Sequence, residues 1–271
     1  MGRLISFFLI EHCGCGGLSL LSRGYLLFFA AGVVSFTVLV SIEMRRLRLA
    51  AEYFYVLFIS LIFGLAGARV IPIIQAFASP KGLSWQGVIH GGMVFYGGLG
   101  GVYLASFILL RARRLRPFPY IDIISLYVPL AHSFGRIGCF LVGCCFGRIT
   151  QSRIGVSYPV GSPAYTQHLS HGMIYPESVK SLPVIPVQIL EAVLNVIIFA
   201  VLYAKKPRAN DGELTATYLI LYAVCRFFIE FMRDDAIRGI YSGISTAQYI
   251  SAAIIIAGIY TLLLLNTKIR S

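Results

Sequence analysis

The sequence predicts an all-α fold, a polytopic membrane helix bundle with about seven transmembrane helices. Of the 271 residues, 58% are hydrophobic and only 13% are charged. Apolar runs close to the twenty or so residues that a bilayer requires recur along the chain. The formal net charge of +12 lies in short basic clusters between these runs, as expected for residues that set membrane topology. We therefore expect the lipid bilayer as a partner and no nucleic acid.

Seven apolar spans follow one another along the chain. The fourth is short before a run of glycines begins, so its end is the least defined. No internal repeat or low-complexity tract interrupts the spans, so residues 1–271 are expected to form a single membrane-embedded domain. The spans are Tyr25–Ile42, Tyr53–Ile74, Val88–Leu110, Ile121–Phe134, Val184–Ala204, Thr215–Phe231 and Ser245–Leu265.

Basic clusters predict the orientation. They follow the first, third, fifth and seventh spans, so all four fall on one side, which is expected to be cytoplasmic. The N-terminus is then outside and the C-terminus cytoplasmic. The one long polar segment, Arg148–Pro183, is expected to form a small extracytoplasmic cap over residues 148–183. The clusters contain Arg45, Arg46, Arg48, Arg111, Arg113, Arg114, Arg116, Lys205, Lys206, Arg208, Lys268 and Arg270.

Polar side chains within six of the spans fall in the outer half of the membrane in this orientation. Ionisable groups at such depth are costly and usually mark a functional site. The topology therefore predicts one polar cavity on the outward side. These residues are Arg69, Tyr96, His132, Arg136, Gln188, Glu191, Arg226, Glu230 and Gln248.

Arg136 and Arg226 are the strongest candidates for ligand binding. A guanidinium suits planar, bidentate binding of phosphate, so two arginines at an outer-leaflet cavity suit a phospholipid headgroup. The alternative is structural pairing, with Glu230 one turn after Arg226. His132 lies one turn before Arg136 and is a candidate general base; the alternative is a hydrogen-bonded histidine without a chemical role.

Two other groups allow more than one interpretation. The six glycines of Gly91–Gly101 favour either close helix packing or a broken helix that exposes backbone N–H groups to a ligand. Cys139, Cys144 and Cys145 have the spacing C-x4-C-C, which matches none of the usual zinc patterns. Packing is the favoured role for these thiols, with redox, nucleophilic and metal-binding roles as alternatives. We expect neither a metal site nor a cofactor.

These motifs resemble those of the prolipoprotein diacylglyceryl transferase family. Gly135–Gly147 is similar to the family signature G-R-x-G-N-F-x-N-x-E-x-x-G, and Gly91–Gly98 is similar to G-G-M-x-F-H-G-G. Further matches are Tyr25 in the first span, Gly67-Ala68-Arg69, Pro186–Glu191, Arg226–Arg233, and Gln248 with Ser251. The chain departs from the family pattern where Tyr96 replaces a histidine, Cys139 and Val142 replace asparagines, and Cys144 replaces a glutamate.

The resemblance implies an enzyme of lipoprotein biogenesis in the bacterial cytoplasmic (inner) membrane, with its active site toward the outer leaflet. It would transfer a diacylglyceryl group from phosphatidylglycerol to the lipobox cysteine of a prolipoprotein signal peptide. The expected catalytic residues are Tyr96, His132, Arg136, Arg226 and Glu230. The expected phospholipid-binding residues are Arg136, Arg226, Tyr25, Gly97, Gly98, Gly147 and Gln248. Because Tyr96 is a poorer base than histidine, His132 is the candidate substitute base.

Two alternatives remain open. A chain that kept the arginines but lost the chemistry would be a phospholipid-binding accessory protein. A chain that uses its clustered cysteines would be a thiol redox or metal-binding membrane protein.

Overall fold

The computed structural model describes residues 20–77, 94–234 and 240–270. In these ranges the chain forms eight α-helices, two 3-10 turns at Lys206–Arg208 and Glu230–Met232, and a small antiparallel hairpin. The helices are α1 (Leu20–Arg46), α2 (Ala51–Phe77), α3 (Phe95–Ala112), α4 (Pro117–Val142), α5 (Pro163–Ser170), α6 (Val187–Lys205), α7 (Glu213–Ile229) and α8 (Thr246–Arg270), and the strands are β1 (Ile240–Tyr241) and β2 (Ile244–Ser245).

Seven of the described helices, all except the short α5, are long and apolar enough to cross a membrane. The predicted fold class, an all-α polytopic bundle, is therefore confirmed, and the protein is a multi-pass membrane protein. The orientation of the termini stays a prediction. Cys13, Cys15, Gly91, Gly92 and Met93 lie outside the described residues.

The fourth span extends well beyond its predicted end at Phe134, because α4 continues through Gly135 and Gly138 to Val142. These glycines do not break the helix. A Cβ on Gly138 would lie only 3.0 Å from the ring of Tyr25 in α1, so this glycine allows the two helices to approach closely. The third span was placed to begin at Val88, whereas α3 begins at Phe95 after an extended Val94.

The contacts divide the chain into two compact units, of which one is Val38–Ile124 and the other joins the residues up to Thr37 to those from Ser125 onward. The single domain over residues 1–271 stays a prediction.

Within the unit Val38–Ile124, α2 and α3 pack through glycines. A Cβ on Gly97 would collide with the backbone of Gly67, and one on Gly101 with the carbonyl of Phe63. The described glycines of this stretch therefore lie inside a helix, and Gly97 and Gly101 serve close packing. Tyr96 is half-buried in the first turn of α3.

In the other unit, residues 143–186 contain no candidate membrane span and form a small core of their own. Phe146, Tyr158, Ala164 and Val184 are buried there together. Helix α5 is capped by Ser162, whose Oγ accepts a hydrogen bond from the backbone N–H of Tyr165, and proline occupies the first helical position. This segment includes residues 148–183, whose role as an extracytoplasmic cap stays a prediction.

Candidate active site

A cluster of four buried charged side chains links α4, α6 and α7. Arg136 Nε lies 2.5 Å from Glu191 Oε2, and Arg226 Nη1 lies 2.9 Å from Glu191 Oε1. Arg226 Nη2 lies 2.7 Å from Glu230 Oε2 in the 3-10 turn that continues α7. The predicted pairing of Arg226 with Glu230 is therefore present, and Glu191 joins both arginines into one network.

The network is well shielded from solvent, with side-chain exposures of 10% for Arg136, 11% for Arg226, 5% for Glu191 and 2% for Glu230. Two guanidinium and two carboxylate groups cancel formally, which compensates for their burial. Because removal of one member leaves an uncompensated buried charge, the four side chains depend on one another.

His132 lies one turn before Arg136 on α4, as the spacing predicted. The Nε of Arg136 donates a 3.0 Å hydrogen bond to His132 Nε2, and the His132 ring packs against Tyr222 of α7 at 5.5 Å between centroids. In this arrangement Nε2 is the acceptor, so the proton of the neutral imidazole is assigned to Nδ1. The Nε2 lone pair is thus used to hold Arg136.

Arg136 makes both of these contacts through Nε. The cavity next to Glu191 and Arg226, between α6 and α7, has a volume of only about 10 Å³, roughly the space of one water. A headgroup that reaches the arginines must therefore approach from another direction or displace side chains.

The end of α4 places the three cysteines side by side. The backbone N–H of Gly143 donates to Phe140 O, and that of Cys144 donates to Cys139 O, which together form a Schellman motif with Gly143 at the left-handed position, φ +78. This motif places Cys144 over Cys139. The three Sγ atoms of Cys139, Cys144 and Cys145 lie within 4.8 Å of one another.

The strand-like segment after Cys145 is fixed by backbone hydrogen bonds on both sides. Gly147 N–H donates to Ile185 O and Arg148 N–H donates to Met232 O, each at 2.9 Å. Gly147 also forms a bridge with Arg233. A Cβ on Gly147 would lie 2.8 Å from both carbonyl oxygens, so a glycine is needed at this crossing.

Charge and hydrogen bonding converge on Cys145. Hydrogen bonds from the thiols of Cys139 and Cys144 lower the pKa of the Cys145 thiol well below its usual value against the effect of burial, and the positive charges of Arg233 and Arg136 act in the same direction. The cysteine cluster therefore adjoins the arginine network.

Gln188 ties the cysteine turn to α6. Its Nε2 donates to Cys144 O at 2.7 Å and lies 3.4 Å from the Tyr158 hydroxyl. Burial raises the pKa of Tyr158, so its hydroxyl stays protonated. Gln188 and Glu191, one turn apart on α6, hold the cysteine turn and the arginines respectively.

The remaining predicted site residues have structural contacts of their own. Tyr25 packs on Gly138 and stacks on Phe29. Gln248 forms a capping box with Ser245 at the start of α8, because each accepts a hydrogen bond from the backbone N–H of the other. Tyr96, Gly97 and Gly98 belong to the unit Val38–Ile124. Their phospholipid-binding or catalytic roles, and those of Gly147 and Gln248, stay predictions.

Glu191 was predicted to lie in the polar cavity but was not among the expected catalytic or phospholipid-binding residues, although it contacts both arginines. The sequence carried one usable signal, since two arginines deep in apolar spans require nearby negative charge. Glu191 and Glu230 are the carboxylates at matching depth.

The protein-family model described as prolipoprotein diacylglyceryl transferase matches residues 18–264. The phosphatidylglycerol–prolipoprotein diacylglyceryl transferase of Clostridium tetani is 28% identical over 243 residues, 88% of this chain and 90% of that protein. The enzyme named phosphatidylglycerol–prolipoprotein diacylglyceryl transferase 2 of Clostridium perfringens is 29% identical over 256 residues, 90% of each chain. The phosphatidylglycerol–prolipoprotein diacylglyceryl transferase of Xanthomonas oryzae pv. oryzae is 35% identical over 181 residues, 64% of this chain and 60% of that protein.

The sequence motifs, the seven apolar helices and this match over most of the chain agree with one another. The chain therefore belongs to the prolipoprotein diacylglyceryl transferase family.

Proposed function

We propose that this protein transfers a diacylglyceryl group from phosphatidylglycerol to the thiol of a lipobox cysteine in a prolipoprotein. The observation that supports this best is the buried network of Arg136, Glu191, Arg226 and Glu230 in a chain whose relatives bear that activity in their names. The site would face the outer leaflet of the bacterial inner membrane, an orientation that the positive-inside distribution of the basic clusters supports.

The reaction forms a bond between the acceptor sulfur and the terminal glycerol carbon of the lipid, while the bond from that carbon to the phosphate oxygen breaks. Glycerol phosphate leaves with the electron pair of the broken bond, so negative charge grows on its oxygen. Preorganised guanidinium groups in a water-poor site stabilise such charge. The terminal amino groups of Arg136 and the guanidinium of Arg226 are the groups for this task.

The residues that differ from the family pattern favour a second candidate. Tyr96 stands where the family has a histidine, and Cys144 where it has a glutamate. A chain that retained only the arginine network would bind phospholipid and act as an accessory protein without transfer.

The two functions are distinguished by incubating the purified protein with labelled phosphatidylglycerol and a lipobox peptide. The transferase should yield a thioether-linked diacylglyceryl peptide and glycerol phosphate, and a peptide with serine in place of the cysteine should yield neither. Arg136→Ala should abolish transfer while membrane insertion is retained. Arg153→Ala, an exposed arginine in the segment 143–186, is the matched control and should have little effect.

Lipid binding without any thioether product would reject the transferase and support the accessory protein. Full activity of Arg136→Ala would reject the role of this arginine in stabilising the leaving phosphate.

A further inference from the structure

Three thiols converge at the end of α4, and two of them, Cys139 and Cys144, stand where the transferase family has an amide and a carboxylate side chain. The Sγ atoms of Cys139, Cys144 and Cys145 lie within 4.8 Å of one another. Two backbone features bring them together, namely the Schellman motif at Gly143 and the left-handed conformation of Cys145, with φ +57. Apolar packing alone does not require three sulfur atoms to face a common point.

The dimensions of this cluster suit a thiophilic cation. Sulfur atoms that share one tetrahedral Zn²⁺ at about 2.3 Å lie about 3.8 Å apart. Sulfur atoms already within 4.8 Å reach that spacing by movements of about 1 Å, which side-chain rotation supplies. Thiolate is also the ligand type that selects zinc over hard cations.

The cluster provides three ligands and an open side. Cys144 is buried at 7% exposure, whereas Cys139 and Cys145 are half-buried. The group of converging metal-ligating side chains found among the described residues contains these three and no fourth. Zinc sites with three protein ligands keep one position for a water or a substrate and are typical of catalysis.

The cysteine cluster lies next to the arginine network. Cys139 follows Arg136 by three residues on α4, which places the two side chains on the same helix face. On the other side of the cluster, the backbone of Arg233 forms a bridge with Gly147, which follows Cys145 by two residues. Three thiolates and one Zn²⁺ carry a net charge of −1, and the positive charge of the buried Arg233 reduces it.

We propose that Cys139, Cys144 and Cys145 bind one Zn²⁺ ion and that its fourth coordination position binds the acceptor cysteine of the lipobox as a thiolate. The second half of this statement rests on the proposed function. A thiol that coordinates zinc is deprotonated, so the metal would replace the base that Tyr96 supplies poorly. Two of the three ligands, Cys139 and Cys144, are residues by which this chain departs from the family pattern.

The step balances without an oxidant or reductant. The acceptor thiol releases its proton to water when it coordinates zinc. Its sulfur lone pair then forms the bond to the glycerol carbon, the carbon–oxygen bond breaks, and the phosphate oxygen keeps that electron pair. Zinc stays divalent, and the uncharged thioether, a weaker ligand than thiolate, leaves.

The first test measures bound metal in a Cys13→Ser, Cys15→Ser, Cys225→Ser background, which removes the other three thiols. One zinc per chain is expected, and it should be lost on Cys139→Ser or Cys145→Ser in protein that retains its helical circular dichroism. Retention of zinc by both variants would overturn the proposal, as would recovery of the cysteines as a disulfide or with a different metal. If the serine variants lose helicity, a second measurement is used in their place. Zinc is removed from the background protein with a chelator and then added back, and the bound metal is measured after each step.

The second test separates thiol binding from transfer. Protein loaded with Co²⁺ should change its visible spectrum when the lipobox peptide is added and should not respond to the serine peptide. Chelation should lower the transfer rate about 30-fold, because free cysteine is only about 3% thiolate at pH 7, and added Zn²⁺ should restore the rate.

Each outcome bears on one claim. Full transfer by zinc-free protein would overturn the zinc inference and leave the proposed function standing. A cobalt spectrum that responds to the peptide, in a protein that never forms the thioether, would support the thiol-binding zinc site and reject the proposed function.

Discussion

Glu191 Oε2 lies 2.5 Å from Arg136 Nε, while the other oxygen of the same carboxylate contacts Arg226. One carboxylate of α6 therefore fixes two guanidinium groups carried by two other helices. A lipid phosphate that binds either arginine encounters a group already held in position, which reduces the reorganisation needed in the transition state.

Glu191→Gln should destabilise the protein, because it removes the negative charge of the side chain while it keeps the shape. The two buried arginines would then face the single carboxylate of Glu230. Breaking a buried ion network in this way costs about 3–5 kcal/mol. The measurement is thermal unfolding in detergent followed by circular dichroism.

Glu213→Gln provides the matched control. It breaks an ion pair of similar length, 2.6 Å from Lys205 Nζ, with side chains that are 32% and 18% exposed. Such a pair contributes about 1 kcal/mol or less. Equal losses in the two variants would contradict a central role for Glu191.

The sequence predicted that polar residues from several spans share one cavity, and five of them, His132, Arg136, Glu191, Arg226 and Glu230, do meet. It offered the pairing of Arg226 with Glu230 one turn later, but it could not predict that Glu191 contacts both arginines. Several pairings satisfy the same depth in the membrane, and the choice depends on helix rotation and on distances of a few tenths of an ångström.

His132 should act by positioning Arg136. A glutamine places its amide oxygen where Nε2 accepts the hydrogen bond from Arg136, whereas leucine offers no acceptor. His132→Gln should therefore retain most of the transfer rate, and His132→Leu should lose about tenfold or more, the value of a hydrogen bond to a charged group. The rates are measured with labelled phosphatidylglycerol, and kcat and KM are determined separately.

A general base would give a different pattern. Both His132 variants would then be equally inactive, and the pH dependence of kcat would lose its acidic limb in each. That result would return His132 to the role of substitute base that the sequence suggested.

Gly101→Ala should disrupt the packing of α2 against α3. The new Cβ would collide with the carbonyl of Phe63 and lie 3.3 Å from Gly64 Cα. Overpacking of this kind costs about 1–3 kcal/mol, which lowers the thermal midpoint. Gly100→Ala is the control, since a Cβ there meets nothing within 4 Å and gains helix propensity of up to about 1 kcal/mol.

Glycine-rich stretches were the least predictable part of the fold. The same residues indicate either a broken helix or a close helix pair, and only the neighbouring helix decides between them. Gly138, opposite Tyr25, and Gly97, opposite Gly67, both serve close packing. Helix α4 therefore continues through Gly138, where the sequence pattern suggested that the span ends.

The segment 143–186 should lose stability in acid. Burial lowers the pKa of His168 below its usual value of 6.5, and His171 acts in the same direction against Asp234. Because the unfolded chain then binds a proton that the folded chain excludes, stability is complete above about pH 6.5 and falls as the pH decreases toward the lowered value.

His168→Asn should weaken this dependence. The asparagine oxygen can replace Nδ1, which accepts from the backbone N–H of Leu182 at 3.2 Å, but it does not titrate. Thermal midpoints at about pH 7.5 and pH 5 provide the measurement. His171→Asn is the control, since His171 is exposed; an unchanged pH dependence in His168→Asn would contradict the assignment.

The convergence of the thiols could have been predicted in part. The spacing C-x4-C matches no common zinc pattern, but it equals the spacing of the two residues that meet in a Schellman motif when glycine follows the helix end. Cys139, Gly143 and Cys144 have that arrangement. The position of Cys145 depends on its positive φ, which nothing in the sequence indicated.

Gly143→Ala should displace the cysteine turn. Its φ of +78 is unfavourable for alanine, and a Cβ there would lie 2.6 Å from the ring of Tyr158. The left-handed backbone alone does not require glycine, because Arg48 and Arg114 end two other helices with φ +52 and +58. The collision with Tyr158 is therefore the decisive effect, and the turn that carries Cys144 and Cys145 must move.

Gly161→Ala isolates this effect, since Gly161 has φ +82 with nothing within 4 Å of a Cβ. Both variants carry the same backbone strain of about 1–2 kcal/mol, but only Gly143→Ala forces the ring of Tyr158 aside. Transfer activity and zinc content should therefore fall in Gly143→Ala and stay near normal in Gly161→Ala. Equal behaviour of the two would mean that backbone strain, and not the contact between Gly143 and Tyr158, holds the cysteine turn in position.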